Sequence, residues 1–439
     1  VIKWTKFIDT FFKNIIIVFI GTSIVNLLNL LYQLLIAHKL TPSDFSAFNS
    51  LLSLYTVLSS PLITLQLAVA KSSAEFYVQA KISELKFLIS DLFKKTFIFA
   101  ILTLFIFGLM AARIVNLLKI PSLFCGYILA TLLALSWLGP VLLGGIQGLE
   151  LFSWLSFIQV FGGIIKLILA FMFILLGHKI AGALGALLIS TIVIISVSYL
   201  PLRQFITKIA PKDKLSPLRD TANPTNQIIV SNGVKYKEII RFLFPVSIST
   251  FCFITLVSFD MVLVKYFFNI EEAGVYSLAQ VVGKVFLFLP GAISIVMFPK
   301  TSGLNAKKMD TLSTLKRSLS YAIGLCIFAG LLYNLRPHLI LKIFTGKVLP
   351  ESIFLGRLFS LSMSFFALTF ILNSYFLSVK DMRFIRYLVL ACLLQNLAIF
   401  LFHKSLLQVQ LILCINSILL FFTNLFLVYE GCSKCLLHR

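Results

Sequence analysis

The sequence predicts an all-α polytopic membrane protein of about twelve transmembrane helices in two parallel six-helix lobes. Composition is the first ground. Hydrophobic residues supply 59% of the 439-residue chain and charged ones 12%, half the roughly 25% of a soluble domain, too few to cover an aqueous surface. Apolar runs of about 20 residues, each long enough to cross a bilayer, recur along the chain and are the second. The third is a repeat. Residues 14–71 read as two apolar runs joined by the polar turn His38-Lys39-Leu40-Thr41-Pro42-Ser43-Asp44, and residues 242–300 repeat the plan around Asn269-Ile270-Glu271-Glu272-Ala273-Gly274. Pro61 matches Pro290 and Lys71 matches Lys300 at one offset, with Asp44 and Glu272 paired at an offset one residue shorter. Such a duplicated hairpin marks a transporter built from two similar halves.

The expected spans in the first half are 14–37, 46–70, 96–112, 122–146, 152–176 and 180–200. Those in the second half are 242–264, 274–298, 318–335, 358–379, 387–403 and 406–429. The first run is too long for a signal-peptide core and is read as a retained span. Residues 1–200 then form an N-terminal lobe, 201–241 a basic linker and 242–439 a C-terminal lobe. Pro211, Pro217 and Pro224 prevent a long helix in that linker. Pro61, Pro140, Pro245 and Pro290 fall inside spans, where broken helices pack together or line a cavity.

A net charge of +22 raises the question of nucleic acid, but the basic residues are sorted by loop. Of 38 lysines and arginines, 26 lie on the side that holds both termini and 10 on the other, with Lys166 and Lys284 left inside spans. The expectation is N-in, C-in topology and no nucleic-acid partner. Arg336, Lys342, Lys347 and Arg357 cluster on the outer side, where a miscounted span would reverse everything after it. The seven cysteines form no disulfide pattern. Cys432-x2-Cys435 with His438 has metal-like spacing, but three candidate ligands in a tail are a poor zinc site, and no metal or other cofactor is expected.

Charge inside a span costs about 2.5–3.5 kcal/mol at the helix centre, which makes embedded charges the best site candidates. Lys166 lies about 15 Å or more from either end of its span at 1.5 Å per residue, beyond comfortable snorkelling reach. Gln159, Gly162, Gly163 and Lys166 share one helix face, which fits a cavity wall. Lys284 has Gln280 one turn earlier and either lines the path or balances Asp260. Asp260 reads as an interfacial carboxylate or as a proton or sodium site. Asn26, Asn29 and Gln33 share a face of the first span, where such amides join helices or contact sugar; Asn373, Gln395 and Asn396 are further candidates.

The turn Glu271-Glu272-Ala273-Gly274-Val275-Tyr276-Ser277, followed by an apolar span with a central proline, resembles the motif of bacterial polysaccharide biosynthesis proteins. These are the flippases of lipid-linked oligosaccharides within the multidrug/oligosaccharidyl-lipid/polysaccharide (MOP) exporter superfamily. Twelve spans, a basic central loop and this length extend the resemblance over essentially the whole chain, although Ser46 stands at the glycine position of the first-half motif. The resemblance implies a MATE/MOP-like fold and an undecaprenyl-diphosphate-linked glycan moved across the bacterial inner membrane, with polysaccharide assembly proteins as partners. The embedded charge adds to this reading: two lysines and one acid leave the interior positive, suited to a diphosphate. A MATE-type cation or drug antiporter is the alternative, and would need buried carboxylates. A membrane glycan polymerase or ligase is the other; it should carry a large outer loop, whereas the longest loop here is the basic linker. No phosphate loop, metal-binding His pair or nucleophile elbow points to an enzyme.

Overall fold

The computed structural model describes residues 2–79, 81–209, 236–288, 290–307 and 309–437, and every regular element among them is helical. The first half comprises α1 (Ile2–Lys39), α2 (Pro42–Ser59), α3 (Leu62–Val78), α4 (Ile82–Leu117), α5 (Leu123–Leu135), α6 (Gly139–Gly148), α7 (Phe152–Leu175) and α8 (Lys179–Ile209). The second comprises α9 (Tyr236–Phe267), α10 (Ile270–Phe288), α11 (Gly291–Ala306), α12 (Leu312–Leu335), α13 (Pro337–Thr345), α14 (Pro350–Val379), α15 (Phe384–Leu401) and α16 (Leu406–Leu437). Taking α2–α3 and α5–α6 as single broken spans, eleven stretches of the described residues are long and apolar enough to cross a bilayer. The α10–α11 pair, which carries Glu271, Glu272 and Lys284 in its first segment, completes the expected twelve. The protein is therefore a multi-pass membrane protein of two helical bundles. Most of the expected linker lies outside the described residues.

The basic cluster 336–357 conceals no extra span. Its only helix before α14 is α13, nine residues long and too short to cross. This helix lies with Pro337, Leu341 and Thr345 buried and Leu339, Lys342 and Ile343 exposed.

Both copies of the repeated turn are helix N-caps. Thr41 Oγ1 accepts the Asp44 N–H at 3.1 Å, Pro42 opens α2, and Asp44 places an acid in its first turn. In the second copy Asn269 Oδ1 accepts from Glu272 N at 2.8 Å while Glu272 Oε2 accepts from Asn269 N at 3.2 Å, a reciprocal capping box. Local chemistry thus explains why an acid recurs at 44 and 272.

Three of the four expected span prolines sit at breaks: Pro61 between α2 and α3, Pro140 at the start of α6, and Pro290 capping α11. Pro245 stays inside α9. Pro61 cannot donate to the Val57 carbonyl four residues back; Ser60 answers that loss, its hydroxyl reaching Val57 O at 2.8 Å and its N–H at 3.3 Å. The break separates two packing partners. Above it α2 packs on α9 and α10 of the other bundle, whereas below it α3 packs chiefly on α6 of its own. The second copy does likewise: α10 packs on α2 as well as α14, and α11 on α14 and α12.

Gly144 and Gly148 explain the closeness of α3 and α6. A Cβ on Gly144 would lie 2.6 Å from Gln66 O, and one on Gly148 2.4 Å from Ala70 O, so only glycine admits the backbone of α3.

Candidate functional site

The bundles meet at the end of the molecule that carries the turns at 40–41, 118–122, 268–269 and 346–349. There a lysine from each of three elements reaches across. Lys265, in the last turn of α9 and almost wholly buried, donates to Ser46 Oγ at 2.8 Å. Lys119, from the α4–α5 turn, donates to the Phe268 carbonyl at 2.7 Å. Lys347, after α13, donates to the Ala37 carbonyl at 3.1 Å and to that of Leu40. Lys119 and Lys347 thus place cations on carbonyls at the C-terminal ends of α9 and α1, where the helix dipole favours them. Burial pushes the Lys347 ammonium below its ordinary range, with Asp44 opposing the shift.

Gly274 completes this seal. A Cβ there would lie 3.0 Å from the backbone carbon of Pro42. The glycine of the repeated motif therefore sits at a close contact between bundles, and at its first-half counterpart Ser46 receives Lys265 instead. Sequence reasoning missed this role. Lys265 lies one residue beyond the expected span 242–264, and the structure places it in the last turn of α9.

Beneath the seal lie two polar clusters. In the first bundle Lys166 is buried and donates to Asn29 Oδ1, with its Nζ 4.7 Å from the centroid of the Tyr32 ring. Tyr32 is fixed in turn by donating to Ala183 O at 2.8 Å, and Gln33 Nε2 donates to Asn49 Oδ1 of α2 at 2.8 Å. An amide and an aromatic face thus offset the buried ammonium, and no described carboxylate forms an ion pair with it. On α1, Asn26 and Asn29 are exposed on the side opposite the exposed Ile20, Ile24, Leu27 and Leu31 stripe. The two amides thus lie on a different exposed face of α1 from its apolar stripe.

The expected cavity wall on α7 needs correction. Gly162 and Gly163 are buried beneath Ile194 and Leu28, where added Cβ atoms would approach to 2.4 and 2.9 Å. Ser190 also donates to Gly162 O at 2.8 Å. This face is a seam between α7, α8 and α1, with Gln159 half-buried farther along it and Lys166 where the seam meets the Asn29 face.

In the second bundle Asp260, near the end of α9, is fully buried within the protein. Tyr276 Oη donates to it at 2.7 Å, and Gln280 Nε2 approaches its two oxygens at 3.2 and 3.1 Å. Both oxygens accept hydrogen bonds from α10. Tyr276, Gln280 and Lys284 follow at single-turn spacing on α10, and Lys284 lies within electrostatic range of Asp260 without forming an ion pair of 4.0 Å or less. The structure therefore brings Asp260, Gln280 and Lys284 together, and separately Lys166 and Asn29, whereas Gln33 bonds instead to Asn49 of α2. Tyr32, Asn49 and Tyr276 were missed, although each lies within one turn of a named candidate or is bonded to one.

Of the remaining amides, Gln395 and Asn373 join helices. Gln395 donates to Leu256 O at 2.8 Å and accepts from Asn416, while Asn424 donates to Asn373 at 3.1 Å. Asn396 bonds back to Cys392 O within its own helix. No metal-binding cluster occurs among the described residues; the side chains of Cys432, Cys435 and His438 lie outside them.

The sequence model described as "Polysaccharide biosynthesis protein" matches residues 11–305. No functionally curated protein matches the chain. Among solved structures, similarity includes a multidrug resistance MATE family transporter of the MOP superfamily in an inward-facing conformation, at TM-score 0.72 and 13% identity over 92% of this chain and 95% of that one. The Lipid II flippase MurJ, inward closed, matches at TM-score 0.64 and 16% identity over 94% of this chain and 87% of that one. The MATE multidrug transporter DinF-BH gives 0.65 and 16% over 94% of each chain. At these identities the likenesses show a shared MATE/MOP fold and do not choose among cargoes.

Proposed function

The chain belongs to the polysaccharide biosynthesis protein family, and on that premise we propose that this MOP-superfamily transporter moves a polyprenyl-diphosphate-linked oligosaccharide across the bacterial inner membrane. The observation that carries the reading is Lys166, a buried ammonium inside a span whose partners, Asn29 and Tyr32, are neutral. A diphosphate entering between the bundles would supply the missing counter-charge, and the exposed amides of α1 would offer hydrogen bonds to sugar. Basic-residue sorting supports a cytoplasmic location for both termini. On that assignment the lysine-bonded end would face the periplasm, in a state closed outward. Transport would then break the contacts of Lys119, Lys265 and Lys347 and rock the bundles about Pro61 and Pro290. Proteins of surface-polysaccharide assembly would be its partners.

In a strain whose surface glycan depends on this protein, Lys166→Ala should abolish glycan assembly at unchanged membrane abundance, while Lys166→Arg should retain part of the activity because the charge is kept. A stable, fully active Lys166→Ala protein would remove this residue from the path. Loss of the protein from the membrane would assign Lys166 a structural role.

A second reading, a cation-coupled drug antiporter, has its own support in Asp260, a buried carboxylate able to bind a proton or sodium ion. Its mark would be cation-driven efflux that Asp260→Asn abolishes and Lys166→Ala leaves intact.

A further inference from the structure

Away from the space between bundles, α12 and α14 enclose a groove of about 550 Å³, within the roughly 300–1,000 Å³ of ligand sites. Its floor is one face of α14, where Arg357, Ser360, Leu361, Ser364, Phe365 and Leu368 recur at helical spacing. The facing wall is one stripe of α12 running from Ile323 to Asn334, and Phe286 and Phe421 close the far side. Ile327 and Leu361 are exposed, so the groove opens to lipid.

Polarity is graded along its length. Arg357 and Asn334 lie at the end nearest the α12–α14 connection, followed by Ser360 and Ser364, and then by Leu368 and Ile323. Arg357 to Leu368 spans about 16 Å of helix at 1.5 Å per residue, roughly half the ~30 Å hydrocarbon core and so one leaflet. The serines are already occupied: Ser360 donates to Arg357 O at 2.7 Å and Ser364 to Ser360 O at 2.6 Å. Asn334 likewise donates to Gly330 O at 2.9 Å. The Arg357 side chain has no hydrogen-bond or ion-pair partner among the described residues. It is a planar fork of donors above an apolar trough. The charged end is also rigid: Tyr333 Oη donates to Ile353 O at 3.3 Å, and a Cβ on Gly356 would lie 2.1 Å from that hydroxyl oxygen.

We propose that this groove holds one anionic phospholipid of the adjoining leaflet, its phosphate on the Arg357 guanidinium and one acyl chain along Leu361, Phe365 and Leu368. A guanidinium binds phosphate oxygens in bidentate fashion. The trough beneath it presents Leu361, Phe365 and Leu368 over the length of a leaflet, and its two serine hydroxyls are already bonded to backbone carbonyls. Unlike the proposed cargo, this lipid would remain on the outer wall of one bundle and would not enter the space between the two.

The test is native mass spectrometry of the purified, delipidated full-length protein titrated with phosphatidylglycerol or phosphatidylcholine. One phosphatidylglycerol should be retained in preference to phosphatidylcholine, and Arg357→Gln should weaken that binding about tenfold, with Arg357→Lys intermediate. Gly330→Leu provides an independent variant, because an added Cβ there meets nothing within 4 Å and the side chain enters the groove. It should displace the lipid with Arg357 intact. Equal retention of the two lipids, unchanged binding in either Arg357→Gln or Gly330→Leu, or full competition by inorganic phosphate would overturn the proposal, the last by revealing a site for a soluble anion. Should Arg357→Gln not fold, Arg357→Lys and Gly330→Leu decide the matter by the same criteria.

Discussion

The two bundles share a plan and differ in what they bury. Each opens with a long helix, follows it with a capped helix broken at a proline, and presents the upper part of that broken helix to its counterpart. The first bundle places Lys166 among neutral partners, whereas the second surrounds Asp260 with Tyr276 and Gln280 and has Lys284 nearby. Backbone and capping requirements have kept the caps and the breaks alike. Nothing in the fold obliges the charges to match. The carboxylate of the second cluster has a lysine within electrostatic range; the cation of the first has no carboxylate partner among the described residues, and the proposed anionic cargo rests on this asymmetry between lobes.

Breaking the hydrogen-bonded cluster around Asp260 should have the largest effect on stability. Asp260→Ala removes the acceptor of Tyr276 and Gln280, so thermal unfolding in detergent should show a loss of about 3–5 kcal/mol, at about 1–3 kcal/mol for each buried donor left unsatisfied. Lys166→Ala removes a cation that has no carboxylate partner and should cost clearly less. Equal losses would mean that the two clusters are structural equivalents.

Next in size is the contact between bundles. Gly274→Val drives a branched side chain into Pro42 and should shift the equilibrium toward an open seal by about 1–3 kcal/mol, the usual cost of overpacking. Distances between spin labels placed at Lys39 and Lys342 should lengthen. An unchanged distribution would show that the seal does not depend on that close approach. Lys347→Ala should act in the same direction by about 1 kcal/mol, since its partners are carbonyls that water can also satisfy once the seal opens.

The smallest effect is one of pH. Because Lys347 is held below its ordinary value of 10.5 in the closed form, an open form with a solvated lysine binds the proton more tightly. As pH rises from the lowered value toward 10.5, this group should increasingly favour closure, and Lys347→Gln should remove that component of the pH dependence. The same spin labels would report it.

Span order, the repeat and the embedded charges were legible in the sequence because hydropathy and charge cost act residue by residue. The Thr41 and Asn269 caps belong to the same class, although their meaning as helix starts emerged only from the hydrogen bonds. What could not be read was which helix meets which. Gly162 and Gly163 share a face with Lys166, and spacing alone cannot distinguish a seam between helices from a cavity wall. The place of Asp260 near the end of its span was legible, but its bonds to Tyr276 and Gln280 of α10 were not. Lys119 and Lys347 become informative only once the carbonyl ends of α9 and α1 are seen beside them, contacts separated by 149 and 310 residues of chain. Topology relative to the membrane rests on charge sorting and can be settled by labelling Ser216→Cys and Lys404→Cys in a cysteine-free background: the first should react only from the cytoplasm and the second only from the periplasm.

The most direct test of an anionic, lipid-linked cargo is flipping of a polyprenyl-diphosphate oligosaccharide in proteoliposomes, scored by leaflet accessibility for the wild type, Lys166→Ala and Asp260→Asn. Wild-type protein should flip the lipid, Lys166→Ala should reduce the rate at least tenfold, and Asp260→Asn, which keeps the shape of the second cluster, should retain most of it. No flipping by wild-type protein, together with cation-driven drug efflux that Asp260→Asn abolishes, would contradict that assignment.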